Sequence, residues 1–369
     1  MKTSAKLKIL AATAIVSAAA FAGLSATAAP VDNAALKSAG SLAFAPNGVL
    51  LIGDAAAGQI VAVETGDTAK AAAGKVEIAD LSAKVAAMLG ATAEQIAIND
   101  VAVNPISGSV YLSVSRGLGA DAKPVVLKAD RAGALTEVKI DTLKRSAVSL
   151  SDAPAPDAKN ARGQPMRAEA ITDIGFVYGQ VLVAGLSNEE FASSMRSIPY
   201  PFTASSKGSS IEMYHGAHGQ FETAAPVRTF MTYDIGGKPN VLAAYTCTPL
   251  VKIPVEQFKP GAKIKATTIA ELGNRNRPID MIAYKKGGKD FILMANSARG
   301  VMKIDAKEID KHAASTNIES RIADKAGVPY ETIADLTDVT QLDKVDETSA
   351  VILVASADKK TSLKTIALP

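Results

Sequence analysis

One phrase recurs along this chain and limits what it can fold into. A short apolar strand is followed by a tight turn, then by a second, more apolar strand ending in small polar residues. Ser41-Leu42-Ala43-Phe44, the turn Pro46-Asn47-Gly48 and the run 49–54 form the first copy. Asp100-Val101-Ala102-Val103, a turn at 105–108 and the run 110–115 form the second. The third is Asp173-Ile174-Gly175-Phe176, Tyr178-Gly179 and 181–185; the fourth is 229–233, Gly236-Gly237 and 241–245. The fifth is Asp280-Met281-Ile282-Ala283-Tyr284, Gly287-Gly288 and 291–295; the sixth is 339–342, a polar link and 350–355. Asn-Gly and Gly-Gly supply the positive φ of hairpin turns, and the flanking runs are β-branched and of strand length.

A third strand follows each hairpin, at 59–63, 125–128, 210–214, 250–255, 301–304 and 363–368. A fourth recurs at 76–81, 138–143, weakly at 226–228, and at 268–272 and 332–336. Six four-stranded units in series predict an all-β, six-bladed β-propeller. The sixth unit shows no fourth strand before Pro369, so the ring is expected to close with a strand from the segment 30–36. Seven blades are the alternative, with the stretch 144–169 hiding one. Pro154, Pro156 and Pro165 and the lack of alternation make that stretch read as loop. A β-sandwich does not account for repeated copies of one hairpin phrase. Residues 82–89 and 306–314 read as short helices inserted on the surface.

The first 28 residues stand outside this pattern. Lys2, Lys6 and Lys8 precede an Ala-rich apolar stretch at 9–24, and Ala26-Thr27-Ala28 offers a small-x-small cleavage site. This is the three-part plan of a bacterial secretory signal peptide, with one domain expected over 29–369 and a periplasmic or secreted location. No second apolar run of spanning length follows. Without those three lysines, 37 basic residues face 37 acidic ones. A near-neutral chain gives no electrostatic case for nucleic acid or an anionic membrane as partner. Cys247 is the single cysteine, so no disulfide forms within one chain, and a monomer is expected.

Propeller topology sorts the remaining residues by face. The links between blades, and those between second and third strands, share one face, here called the top. That face gathers Asn99 and Asp100, Glu169 and Asp173, Arg277 and Asp280 from the blade links. Arg116, Asn188, Glu189, Asn296 and Arg299 come from the links between second and third strands. The long link 187–209, with Phe191, Met195, Ile198, Tyr200 and Phe202, is expected to fold over the top as a lid. Asp100, Asp173 and Asp280 each stand just before an innermost strand. Converging carboxylates there suit a hard cation such as Ca²⁺ or Mg²⁺, with Asn99 as a further ligand. They equally suit the satisfaction of turn amides. Arg116, Arg277 and Arg299 suit either a forked grip on an anion or salt links between blades.

His215 and His218, in Tyr214-His215-Gly216-Ala217-His218-Gly219, form a His-x-x-His pair that offers an alternative metal site, of copper or zinc type. The expected topology places them in a hairpin on the bottom rim, opposite Cys247. Cys247, with no histidine beside it, reads as an inert thiol.

The run Ile98-Asn99-Asp100-Val101-Ala102-Val103-Asn104-Pro105, with the strand after it, resembles the Asn-Asp blade phrase of gluconolactonase-like propellers, of the NHL-like superfamily. The resemblance covers one blade. It implies a divalent cation at the channel mouth, held by Asn or Asp residues of several blades, and hydrolysis of lactones or esters. Three functions follow as expectations. The first is an exported propeller that binds a protein or small molecule at the mouth. The second is a Ca²⁺- or Mg²⁺-dependent hydrolase, with Asp100, Asp173 and Asp280 around the ion and Glu169 or Glu189 as general base. The third is a copper-dependent redox protein.

Overall fold

A computed structural model describes residues 30–33, 35–70, 74–358 and 360–369; the expected signal peptide, 1–28, lies outside the described residues. Each copy of the hairpin phrase becomes the two innermost strands of one sheet, and there are six such sheets. The turns explain why. Asn47 and Gly48, Tyr178 and Gly179, Gly236 and Gly237, and Gly287 and Gly288 are each a consecutive pair with positive φ, between 49° and 76°. That geometry matches the twist of the strands it joins.

The first blade runs outward through Leu42–Ala45, Val49–Asp54, Gln59–Glu64 and Arg145–Ser149, with Pro30–Asp32 along its outer edge. The second is Ile96–Val103, Val110–Arg116, Lys123–Ala129 and Leu135–Glu137. The third is Asp173–Val177, Gln180–Leu186, Ser193–Pro199, Ser209–His215 and Gln220–Glu222, with Lys263–Lys265 parallel to its fourth strand. The fourth is Thr229–Ile235, Lys238–Ala244, Pro249–Pro254, Thr267–Leu272 and Lys325–Gly327. The fifth is Pro278–Lys286, Lys289–Asn296, Gly300–Asp305 and Glu331–Ile333. The sixth is Val339–Lys344, Ser349–Ala355, Thr361–Ala367 and Glu77–Ile78.

The core shows how the blades close up. It divides into six apolar clusters, one between each adjacent pair. Leu50 and Ile52 of the first blade meet Ala102 and Tyr111 of the second. Leu112 and Leu127 of the second meet Val351 and Leu363 of the sixth. Ile282 meets Leu342 between fifth and sixth, and Leu242 meets Met294 between fourth and fifth. Leu182 meets Val241 between third and fourth, and Leu51 meets Val183 between first and third. The ring is therefore single and closed, but its order is second, first, third, fourth, fifth, sixth. A blade covered on both faces needs an apolar residue at nearly every position of its middle strands. Val49–Asp54 is buried throughout, which is why the second strand of each phrase is the more apolar one.

Closure differs from the sequence expectation. The sixth blade takes its fourth strand from Glu77–Ile78, not from the segment near Pro30, which instead lies against Arg145–Ser149. The stretch 144–169 hides no seventh blade; its first residues complete the first blade. The chain thus leaves the first blade, edges the sixth, builds the second, and returns to finish the first. The two helices are not surface insertions. Leu81–Leu89 is capped by Asp80, which accepts from Ala83 N at 3.0 Å, and ends at Gly90 with φ 62°. Its Leu81 and Val85 are buried in the core between second and sixth blades. Ala306–Ser315 buries Ile309 between the fourth and fifth. No helix among the described residues is long and apolar enough to cross a membrane.

The segment expected as a lid is a strand. Ser193–Pro199 pairs along Gln180–Leu186 as the third strand of its blade, which makes Ser209–His215 the fourth. Arg196 explains the burial. Its Nε donates to Asp152 Oδ1 at 2.6 Å, and its other nitrogens donate to the carbonyls of Ala170 and Leu186.

Candidate binding site at the channel mouth

All six innermost strands begin at one end of the central channel. Residues near those starts, with Ser297 from the end of a second strand, line a funnel of about 380 Å³; Asn99, Thr172, Arg228, Arg277 and Gln341 are among its walls. Bulges between Ile98 and Asp100, Pro278 and Asp280, and Val339 and Gln341 turn the chain at the mouth in three blades. Below, the channel narrows to a space of about 190 Å³. Asp100, Asp173 and Asp280 stand at the junction and line both parts, and Asp343 lines the lower one.

These carboxylates have a structural task. An innermost strand is the free edge of its sheet, so its outward amides lack ladder partners. Asp100 accepts from Leu42 N of the first blade at 2.7 Å and from Val101 N at 2.8 Å. Asp173 accepts from Phe230 N of the fourth blade and Ile174 N, both at 2.8 Å. Asp280 takes Leu342 N of the sixth blade at 3.1 Å and Met281 N at 3.2 Å. Asp343 takes Val103 N of the second blade at 2.6 Å and Lys344 N at 2.7 Å. Each aspartate thus latches its blade to a neighbour beside it in the ring.

The four groups are half-buried in the channel wall, and their acidity follows. Burial pushes Asp173 up to about 7 and Asp343 to about 6, against the pull of their amide donors. Asp100 is raised well above the ordinary carboxylate value by burial and by the charges of Asp173 and Asp343. Asp280 is raised likewise, by burial and then by Asp100, Asp173 and Asp343. The fit to a hard cation is poor. Each oxygen of the expected ligands, Asp100, Asp173 and Asp280, receives one amide hydrogen and keeps a lone pair, but their ligand atoms form no compact group of three among the described residues.

The rim above carries the cations. Arg228 Nη1 bonds Glu169 Oε1 at 2.6 Å. The Arg277 guanidinium has no hydrogen bond or ion pair among the described residues; its backbone N donates to Ser297 Oγ at 3.0 Å. Partial desolvation of this exposed side chain, and then the Arg228 charge, hold Arg277 below its ordinary value, while Glu169 offsets part of this. Asn99 is partly engaged, donating to Ala39 O and Ser115 Oγ, and Gln341 donates to the Asn99 carbonyl at 3.0 Å.

The other expected residues lie elsewhere. Arg116 is exposed at the end of its strand. Asn188 is exposed, and Glu189 pairs with Lys207 at 3.4 Å. Asn296 is buried and accepts from Asn276 Nδ2 at 2.8 Å. Arg299 is tied to Asp324 at 2.8 Å and to the Asn274 carbonyl. None of the five lines the funnel. Sequence reasoning missed Arg228, Thr172, Gln341 and Asp343. Arg228 had a usable signal: it stands directly before the fourth copy of the hairpin phrase, as Asn99-Asp100 begins the second.

The histidine hairpin is also relocated. Because Ser209–His215 is a fourth strand, it ends at the face of the funnel, at the outer edge of the third blade, and not on the bottom rim. His215, His218 and Glu222 form the one group of three or more potential ligands within reach of a single ion among the described residues; Cys247 is not in it. His312 is held by Thr316 and stands near Glu308 on the second helix.

No protein-family model and no curated protein matches the chain. Several solved structures do. A provisionally assigned oxidoreductase (glucose dehydrogenase) from Thermus thermophilus is 10% identical with a TM-score of 0.31, over 92% of this chain and 100% of that one. A streptogramin B lyase is 11% identical with a TM-score of 0.29, over 93% and 98%. The PQQ-bound aldose sugar dehydrogenase of Streptomyces coelicolor is 12% identical with a TM-score of 0.29, also over 93% and 98%. At these identities the likeness concerns the fold alone, and no activity passes from them to this chain.

Proposed function

We propose that this protein is an exported propeller that binds a small hydroxylated acid in the channel-mouth funnel, with Arg277 gripping the anionic group. One observation carries the reading: Arg277 is the cation at the mouth without a side-chain partner among the described residues, while its neighbour Arg228 is matched by Glu169. The funnel, about 380 Å³, is of the size that metabolite sites have. Thr172, Ser297 and Gln341 supply neutral polar groups around the guanidinium. The carboxylates below, raised toward neutrality by burial, are suited to the hydroxyls of a ligand and not to a second anionic group.

The test is calorimetric titration with a panel of sugar acids, the matching neutral sugars and inorganic phosphate. Sugar acids are expected to bind, and Arg277→Ala to weaken them at least about tenfold, the value of one charge-assisted hydrogen bond. Equal binding of neutral sugars and acids, or unchanged affinity in the variant, overturns the reading. Export is tested separately by N-terminal sequencing of protein from the periplasm, with Ala29 the expected first residue. The hydrolase alternative needs Asp100, Asp173 and Asp280 to converge on one ion, and their ligand atoms form no compact group of three among the described residues, so it has less support than the binding reading.

A further inference from the structure

The turn after Ser209–His215 folds His218 back beside His215, so that the imidazole centroids lie 3.9 Å apart with the rings tilted by 38°. Both rings present Nδ1 to one carboxylate. His215 Nδ1 is 3.0 Å from Glu222 Oε2, and His218 Nδ1 is 2.5 Å from Oε1. The three ligand atoms lie within 4.8 Å of one another. Behind them, Glu271 Oε1 accepts from Gly216 N, between the two histidines, at 2.5 Å. Two buried atoms at this spot have no partner among the described residues: Nε2 of His215, which is 3% exposed, and Oε2 of Glu271, which is 1% exposed.

We propose that His215, His218 and Glu222 hold one divalent transition-metal ion, of the zinc or copper class, at the outer edge of the third blade. Two imidazole nitrogens and a carboxylate suit such ions, whereas Ca²⁺ and Mg²⁺ ask for shells of oxygen. Ligands of a tetrahedral ion at about 2.1 Å stand roughly 3.4 Å apart, so the two nitrogen–oxygen separations need to open by less than about 1 Å. His218, with its side chain 50% exposed, marks the side on which the ion enters and a solvent ligand completes the shell. Glu271 fixes the turn that carries both histidines by accepting from Gly216 N.

The experiment uses untagged, chelator-treated protein titrated with ZnCl₂, CuCl₂ and CaCl₂, followed by calorimetry and melting temperature. One equivalent of zinc or copper is expected to bind and raise the melting temperature by several degrees, with no response to calcium. His218→Ala and Glu222→Gln should each weaken binding at least tenfold. His218 is half exposed, so its variant is expected to keep the wild-type circular dichroism and metal-free melting temperature. Nitrogen hyperfine structure in the Cu²⁺ spectrum should be present in the wild type and reduced in His218→Ala. Absence of stoichiometric binding, a calcium response equal to that of zinc, or affinity unchanged in both variants overturns the site. Arg277→Ala should bind metal like the wild type, so this site and the funnel fail or stand independently.

Discussion

Two sets of carboxylates on the same face of the ring keep opposite company. Asp100, Asp173, Asp280 and Asp343 meet backbone amides and one another, and all four are raised. Glu222 meets two imidazoles. Burial alone would raise it, but the hydrogen bonds and charges of His215 and His218 bring it down to about 2. The lesson lies in the donors. An amide has only a hydrogen to offer, so a carboxylate that it satisfies is a latch. An imidazole also has a lone pair, so a carboxylate between two of them is half of a ligand set. Convergence of acids at a propeller mouth does not by itself make a metal centre.

A third carboxylate gives this contrast its largest test. Asp152 is buried with both an amide, Gly208 N at 2.8 Å, and a cation, Arg196. Arg196→Met leaves Asp152 with the amide alone and should cost about 3–5 kcal/mol in urea unfolding. Adding Asp152→Leu should recover more than half of that. A loss below about 1 kcal/mol would mean that amides alone suffice for a buried carboxylate, and the distinction between the two sets would lose its basis.

The next effect concerns pH. Asp173 titrates near 7 when folded against 3.8 ordinarily. Between those values the unfolded chain releases a proton that the folded chain keeps, so the contribution of Asp173 is fully present below about 4 and is lost as pH rises through 7. Linkage caps the loss at about 4 kcal/mol, less where channel water reaches the group. Urea midpoints at pH 4.5 and pH 8 should therefore fall more in the wild type than in Asp173→Asn. Parallel slopes would show that this carboxylate ionises normally in the channel and does not share the raised state of the other latching aspartates.

The legibility of the molecule follows the same division between local and distant causes. The hairpin phrase was readable because two consecutive left-handed residues can be supplied only by a few residue types, and Asn47-Gly48 and Gly287-Gly288 announce them. The blade count followed. The ring order did not, because Glu77–Ile78 and Arg145–Ser149 are two and five residues long and carry no mark of the sheet they will join. Ser193–Pro199 read as part of a lid because the link 187–209 is long and carries apolar residues from Phe191 to Phe202; its strand pairing buries Arg196, which depends on Asp152, 44 residues earlier. That single misplaced strand turned the histidine hairpin to the wrong face. At the mouth, Asp100, Asp173 and Asp280 were found because each opens a copy of the hairpin phrase in the sequence, whereas Asp343 was missed because it falls just after the run 339–342 that marks the sixth copy.

The smallest effects separate the two glutamates first considered as general bases. Glu169 neutralises Arg228 at the funnel, with 36% of its side chain exposed; Glu189 faces Lys207 at 3.4 Å, with both side chains 40% exposed. Glu169→Gln removes the charge that matches Arg228 and leaves two arginines to meet an anion. Sugar-acid affinity should rise about three- to tenfold at low ionic strength, and the gain should shrink in roughly 0.5 M salt as screening shortens the reach of the charge. Glu189→Gln breaks an exposed pair of a kind worth about 0–1 kcal/mol and should change neither affinity nor stability by more than about 0.5 kcal/mol. An equal response of both variants would mean that long-range charge, and not the Glu169–Arg228 contact, sets the field at the mouth. Arg277 would then lose its claim to be the one cation left for a ligand.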